Sequence, residues 1–112
     1  MTESLDTNLL NELQDIMEEE FPLLLETYLT ESQTQYQLVV RSADAKSLDE
    51  LRRSAHALKG SCANVGAMRS AEICQVIEQA AASGEIEPVA QHVALLEAEL
   101  QIVRNGLSER LS

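Results

Sequence analysis

His56 lies in the middle of a segment with helical periodicity, and its neighbours suit it to nucleophilic chemistry. Apolar residues recur at intervals of three and four in this segment, and a helical wheel places His56 about 130° from the centre of their stripe. We therefore expect the imidazole to face solvent. Four nearby residues share its face because they lie three, four or seven positions away: Arg52, Lys59, Gly60 and Ala63.

This neighbourhood is typical of a phosphoryl acceptor. Neutral imidazole is a nucleophile near pH 7 without help from a strong base, and its phosphoramidate retains a high transfer potential. The ammonium of Lys59 can lie beside the phosphoryl oxygens, where charge accumulates during transfer. Gly60 and Ala63 have almost no side chain, so another protein can approach the imidazole closely. Glycine inside a helix costs about 1 kcal/mol relative to alanine, which a docking partner would explain.

The same residues also have an ordinary interpretation. Spacing alone is compatible with an exposed histidine on a solvated helix face, where Lys59 and Arg52 serve solubility. The second histidine, His92, lies about 70° from the apolar stripe of the last helical segment. It lacks comparable neighbours, and we assign it no role.

The thirteen residues from Ala55 to Ala67, AHALKGSCANVGA, resemble the signature of histidine-containing phosphotransfer (HPt) domains. In that signature a histidine is followed by Lys-Gly and, after a short gap, by a second glycine. The helical pattern from about residue 7 to residue 107 is also similar to this family, so the resemblance covers nearly the whole chain. It implies that His56 accepts the phosphoryl group, that Lys59 stabilises it and that Gly60 lies under the partner. We expect partners to dock on a surface that comprises Arg52, Gly60, Ala63 and Asn64.

The resemblance also points to the following helical segment. In this family a polar residue there often orients the imidazole or the phosphoryl group. A turn at Val65 to Ala67 would bring Gln75 and Glu78 level with His56. Glu78 is the closer counterpart by position, but a carboxylate that orients an imidazole N–H would repel a phosphoryl group. Gln75 is therefore the better candidate for contact with the phosphate, and both remain auxiliary residues.

Five amphipathic segments predict an all-α fold, an antiparallel four-helix bundle with a short extra N-terminal helix. Asp6 or Thr7 caps the short helix, whose stripe comprises Leu9, Leu10, Leu13, Ile16 and Met17. Ser47 and Glu50 match a capping box before the histidine segment. The bundle helices are divided at Pro22, Ser47, Gly66 and Pro88. We expect them at about residues 22–43, 47–65, 67–83 and 88–110 of one domain, 1–112.

The chain is strongly acidic, with 8 basic and 19 acidic residues and a net charge of -11. This charge disfavours nucleic acid and anionic lipid surfaces as partners. The longest apolar run is far below the roughly twenty residues of a membrane-spanning helix, and the acidic N-terminal segment does not resemble a secretory signal. Cys62 and Cys74 cannot by themselves form a disulfide framework or a four-ligand zinc site. We expect a cytoplasmic monomer with reduced cysteines, no metal and no cofactor.

The sequence has no Gly-rich nucleotide loop or P-loop, which favours a stoichiometric phosphoryl carrier over an enzyme. The resemblance implies that His56 takes the phosphoryl group from a receiver-domain aspartate or a hybrid sensor histidine kinase and passes it to a response regulator. The receiver domain would supply the aspartate and the Mg²⁺. One alternative is a helical module that binds and modulates receiver domains without being phosphorylated, and a second is a scaffold or dimerisation bundle. The presence of both His56 and Lys59 favours transfer.

Overall fold

The computed structural model describes residues 2–112, and within this range every regular element is a helix. The short α1 spans Thr7–Met17 and continues into a 3₁₀ turn at Glu18–Glu20. The four longer helices are α2 at Phe21–Asp44, α3 at Leu48–Asn64, α4 at Met68–Ser83 and α5 at Val89–Leu111. Each begins and ends within one residue of the expected bounds, and the predicted all-α bundle is confirmed.

The four long helices form a closed ring of neighbours. Helix α2 packs on α3, α3 on α4, α4 on α5, and α5 returns to α2, so α3 and α5 lie diagonally across the bundle. The pair α3 and α4 is the most extensively packed, and it is joined by a tight turn. Among residues 2–112, no helix combines the length and the apolar character that are needed to cross a membrane.

The core is aliphatic, as a chain with one Phe and no Trp requires. The predicted stripe of α3 is buried and consists of Leu51, Ala55, Leu58 and Cys62. Helix α4 faces it with Ile73, Cys74 and Ile77, all of them buried. Burying one leucine side chain stabilises the fold by about 1.5–3 kcal/mol, so this stripe determines the rotation of α3. The opposite face of α3, which carries His56, is thereby left in solvent.

The N-terminal segment is fastened to the turn between α3 and α4. The Asp6 carboxylate caps α1 by accepting from the Leu9 N–H at 3.0 Å, and the Asp6 N–H donates to the Gly66 carbonyl at 2.8 Å. Gly66 has a φ of 75°, the left-handed conformation that ends a helix. A Cβ at this position would lie 3.2 Å from the Asp6 Cβ. Gly66, the second glycine of the signature, is therefore required by the left-handed turn and by the close contact with Asp6.

Two local predictions are wrong. Ser47 precedes α3, but its side chain makes no capping hydrogen bond. The reciprocal bond of a capping box would need the Ser47 N–H, which instead donates to the Ser42 carbonyl at 3.0 Å. Ile16 was expected on the apolar stripe of α1, yet its side chain is 78% exposed. It lies at the edge of that stripe, and the bundle buries only Leu10 of this helix fully.

Candidate functional site

His56 projects from the solvent face of α3, and its side chain is 65% exposed. Its neighbours Ala55 and Leu58 are fully buried in the core. The prediction that the imidazole faces solvent is confirmed. Because the residue lies within a regular helix that is packed on two others, its backbone is held rigidly while its ring stays accessible to another protein.

Three side chains from α3 and α4 form a hydrogen-bonded network with the imidazole. Nδ1 of His56 lies 2.9 Å from Oε2 of Glu78. The Lys59 ammonium donates to Oε1 of Glu78 at 2.7 Å and to Oε1 of Gln75 at 2.6 Å. We call these four residues the histidine cluster: His56, Lys59, Gln75 and Glu78. Gln75 and Glu78 are three residues apart and share a face of α4, which places them beside the matching pair on α3.

The bond to Glu78 determines the protonation of the imidazole. A carboxylate oxygen can only accept, so Nδ1 carries a proton, and in the neutral ring the lone pair is on Nε2, the nitrogen that Glu78 does not contact. The pKa of the Glu78 carboxyl lies below its ordinary value of 4.5. Partial burial alone would raise this pKa, but the hydrogen bonds that Lys59 and His56 donate, together with the positive charge of Lys59, outweigh burial. Glu78 is therefore ionised at neutral pH.

The surface beside the histidine has little side-chain bulk. A Cβ built on Gly60 would have no atom within 4 Å, so this position opens directly to solvent. Ala63 and Asn64, at the C-terminal end of α3, are exposed as well. The helix surface on this side of the imidazole is thus flat, which permits a close approach by another protein.

Comparison with known proteins agrees with this geometry. The Hpt domain family matches residues 23–106, which is most of the chain. The chain belongs to the Hpt domain family. It is also similar to histidine-containing phosphotransfer protein B (HptB) from Pseudomonas aeruginosa, whose crystal structure superposes with a TM-score of 0.94. The two are 31% identical, and the match covers 99% of this chain and 96% of that chain. No curated protein matches the chain.

The resemblance to HPt domains is therefore confirmed, and the protein is an Hpt-domain phosphotransfer protein. Proteins of this kind generally carry a phosphoryl group rather than act as enzymes. The family implies receiver domains as partners in a phosphorelay.

Other polar residues of this Hpt domain lie outside the histidine cluster. Arg52 lies one turn before His56 and donates to the Asp49 carboxylate at 3.1 Å. Arg53 pairs with the same carboxylate at 2.9 Å. Arg52 thus shares the site surface without contacting the imidazole. Nδ1 of His92 lies 2.7 Å from the carbonyl of Pro88, the N-cap of α5. Among residues 2–112, no group of three or more histidine, cysteine or acidic side chains is arranged to hold a metal ion.

The cysteines lie beneath the histidine cluster rather than in it. Cys62 and Cys74 are free and fully buried, one on α3 and one on α4. The Tyr28 hydroxyl lies 3.6 Å from the Cys62 sulfur, and burial, together with that neighbour, raises the pKa of Tyr28. These residues pack the core of the Hpt domain below the site.

Sequence reasoning missed the ion pair between Lys59 and Glu78. It treated Lys59 as a free cation and Glu78 as a partner of the histidine alone, whereas one carboxylate binds both. The signal was present in the spacing, because Lys59 follows His56 by three residues and Gln75 precedes Glu78 by three. In an antiparallel pair that turns at Val65 to Ala67, these spacings put His56 level with Glu78 and Lys59 level with Gln75. Lys59 therefore lies within one turn of Glu78 as well.

Proposed function

We propose that this Hpt domain accepts a phosphoryl group on Nε2 of His56 and passes it on. The donor is the aspartyl phosphate of a receiver domain, free or within a hybrid sensor histidine kinase, and the acceptor is a response regulator. The observation that carries this proposal is the histidine cluster, in which an exposed imidazole has Nδ1 bound to a carboxylate and a lysine one turn away. Nε2 is thereby the nucleophile.

In the transfer step, the lone pair of Nε2 attacks phosphorus and forms the N–P bond. The bond between phosphorus and the aspartate oxygen breaks, and its electron pair leaves with the aspartate carboxylate. Lys59 stabilises the phosphoryl oxygens as negative charge builds on them. Its ammonium is held by Gln75 and Glu78, so the cation is positioned before the partner arrives. The receiver domain contributes the aspartate and the Mg²⁺, and this chain acts as a stoichiometric carrier.

The docking surface proposed here lies on α3 around the histidine. Gly60, Ala63 and Asn64 provide a flat patch on the C-terminal side, and Arg52 lies one turn on the N-terminal side. A receiver active site is acidic because it presents carboxylates, so Arg52 and Lys59 complement it although the whole chain has a charge of -11. Such local complementarity mainly accelerates association and aligns the partner.

The test is a two-stage relay in solution. The protein is incubated with a receiver domain phosphorylated on its aspartate with labelled phosphate, separated from it, and then mixed with a second, unlabelled receiver. We expect at most one label per chain, which is lost in acid and retained in base, as a phosphoramidate is, and which moves to the second receiver. A label that survives acid, or that cannot leave, contradicts the proposal. Binding of receivers without any label would instead favour the non-phosphorylated module.

A further inference from the structure

The product of the transfer step carries a charge that the free imidazole does not. The form of His56 that attacks phosphorus has a neutral ring, with a proton on Nδ1, which donates to Glu78, and a lone pair on Nε2. When the lone pair forms the N–P bond, the ring holds both the proton and the phosphoryl group. It is then cationic unless the Nδ1 proton is lost. What happens to this proton decides how readily the phosphoryl group can leave again.

The proton matters because of the leaving group in the next transfer. When the N–P bond of the protonated ring breaks, its electron pair returns to Nε2 and a neutral imidazole leaves. When the same bond breaks in a ring without the proton, the leaving group is an imidazolate anion, which is far more basic and leaves more slowly. The protonated phosphoimidazole is therefore the more reactive phosphoryl donor.

Glu78 is placed to keep that proton. It is the charged group of α4 that contacts the imidazole, through Oε2 at 2.9 Å from Nδ1. On the same helix as His56, Lys59 binds the other carboxylate oxygen and Arg52 is paired with Asp49. From α2, the other neighbour of α3, no side chain within residues 2–112 forms a hydrogen bond or ion pair with His56. One carboxylate thus faces the edge of the ring from which the proton would depart.

We propose that Glu78 is a positioning residue that holds the proton on Nδ1 of phosphorylated His56, so that the protein is a fast phosphoryl donor with a short-lived phosphohistidine. This inference rests on the proposed function of His56. An opposite charge within hydrogen-bond distance favours the cationic ring, whereas a neutral amide could accept the same hydrogen bond without that electrostatic gain. The negative charge of Glu78 is therefore what sets it apart from a glutamine at the same position.

Lys59 strengthens this effect during transfer. In the unphosphorylated protein its ammonium lies 2.7 Å from Oε1 of Glu78 and offsets part of the carboxylate charge. An arriving phosphoryl group also attracts this ammonium, because its oxygens are negative. When the ammonium is shared with the phosphoryl oxygens, it offsets less of the Glu78 charge. More of that charge then acts on the ring of His56 as the ring becomes positive.

The test compares the pH dependence of label loss. Unsubstituted protein, Glu78→Gln and Glu109→Gln are labelled by a phosphorylated receiver and separated from it, and the hydrolysis of the label is followed from pH 5 to pH 9. Glu109→Gln is the matched control, because it removes the same charge from an exposed site on α5, diagonal to α3. Thermal unfolding of each variant shows whether the fold is retained.

Hydrolysis slows as the pH rises through the pKa of the phosphorylated ring, because the protonated form is the reactive one. We expect the midpoint in Glu78→Gln to lie about one pH unit below that of the unsubstituted protein, the size expected for one opposite charge at an exposed site. Above both midpoints, the label of the variant should persist up to about tenfold longer. Glu109→Gln should follow the unsubstituted protein.

Equal midpoints in all three proteins would overturn the inference, and so would an equal shift in both variants, which would indicate general electrostatics. A ¹⁵N spectrum of the phosphorylated, unsubstituted protein shows directly whether Nδ1 of phosphorylated His56 carries a proton. If this proton is absent at pH 7.5, the inference is contradicted, even if Glu78→Gln does not fold. Failure of the proposed function is distinguishable, because the unsubstituted protein would then take no label.

Discussion

The two histidines of this Hpt domain both lie on helices, and both use Nδ1 in a hydrogen bond. Nδ1 of His56 donates across the helix pair to the Glu78 carboxylate at 2.9 Å, whereas Nδ1 of His92 donates to the carbonyl of Pro88, the N-cap of α5, at 2.7 Å. Both bonds leave the lone pair on Nε2. The tautomer therefore does not distinguish the two residues.

The difference lies in charge and access. His56 is exposed beside an ionised carboxylate and a lysine, whereas His92 is half-buried in the first turn of α5. Under the proposed function, the neighbouring helix α4, rather than the histidine itself, is what distinguishes His56 as the phosphoryl acceptor.

Exchanging each histidine for glutamine is the strongest test of this comparison. We expect His56→Gln to abolish labelling by a phosphorylated receiver, because the nucleophile is gone, and His92→Gln to be labelled at the normal rate. The measurement is the amount of acid-labile label per chain over time. Both variants should unfold cooperatively like the unsubstituted protein. Label that remains in His56→Gln and disappears in His92→Gln would reverse the assignment.

Removing the lysine should produce the next largest effect. Lys59→Ala retains the nucleophile but lacks the cation beside the phosphoryl oxygens, so we expect labelling to be slower by about 10- to 100-fold. The measurement is the initial rate of transfer from a phosphorylated receiver present in excess. Arg53→Ala is the control, since it removes an exposed cation of α3 that pairs with Asp49. Equal rates in both variants would show that Lys59 contributes only general charge.

A substitution at Gly60 tests whether a partner's access to His56 matters as much as the charge of Lys59. A side chain fits at this position in the isolated protein, because a Cβ added to Gly60 would have no atom within 4 Å. We expect Gly60→Gln to be as stable as the unsubstituted protein, or more stable by up to about 1 kcal/mol, because glycine is a poor helix former. Transfer should nevertheless slow by roughly tenfold or more, since small displacements of reacting groups are costly.

Two measurements check this prediction, a urea unfolding curve and a transfer rate. Ala98→Gln adds similar bulk at an exposed position of α5, on the opposite side of the bundle, and should leave transfer unchanged. Normal transfer in Gly60→Gln would show that no partner approaches this part of α3.

The smallest effect concerns stability in acid. The pKa of Glu78 is lower in the folded protein than its ordinary value of 4.5, so the carboxylate stabilises the fold at all pH values above 4.5. This contribution is lost as the pH falls through the lower pKa of the folded state. For an ion pair near the surface we expect less than about 1 kcal/mol.

Urea midpoints at pH 7 and pH 3 measure this contribution. The unsubstituted protein should lose more stability between these pH values than Glu78→Gln, which has no carboxylate to protonate at this position. Glu109→Gln should behave like the unsubstituted protein, as its carboxylate is exposed. An identical loss in all three would show that the cluster contributes nothing to folding.

Much of the fold follows from the order of apolar residues along the chain. The alternation of three and four in the segment of His56 predicts both the buried face of α3 and the exposure of the imidazole. Helix ends were predicted to within one residue because Pro22, Gly66 and Pro88 act locally on the backbone. The capping box at Ser47 failed because the Ser47 N–H donates to the Ser42 carbonyl in the last turn of α2.

The candidate site was likewise predicted from the sequence only in part. The 3.6-residue period predicted that His56, Lys59 and Gly60 share one exposed face of a helix. Spacing alone was also compatible with an ordinary solvated face, and it was the resemblance of this segment to HPt domains that favoured a phosphoryl acceptor. Only the packing of α4 on α3 decided that the Glu78 carboxylate is shared by His56 and Lys59, and that Gln75 completes the coordination of the ammonium. Distances between side chains of different helices depend on the rotation and separation of those helices and on the rotamers, which are set by how the buried stripes interlock.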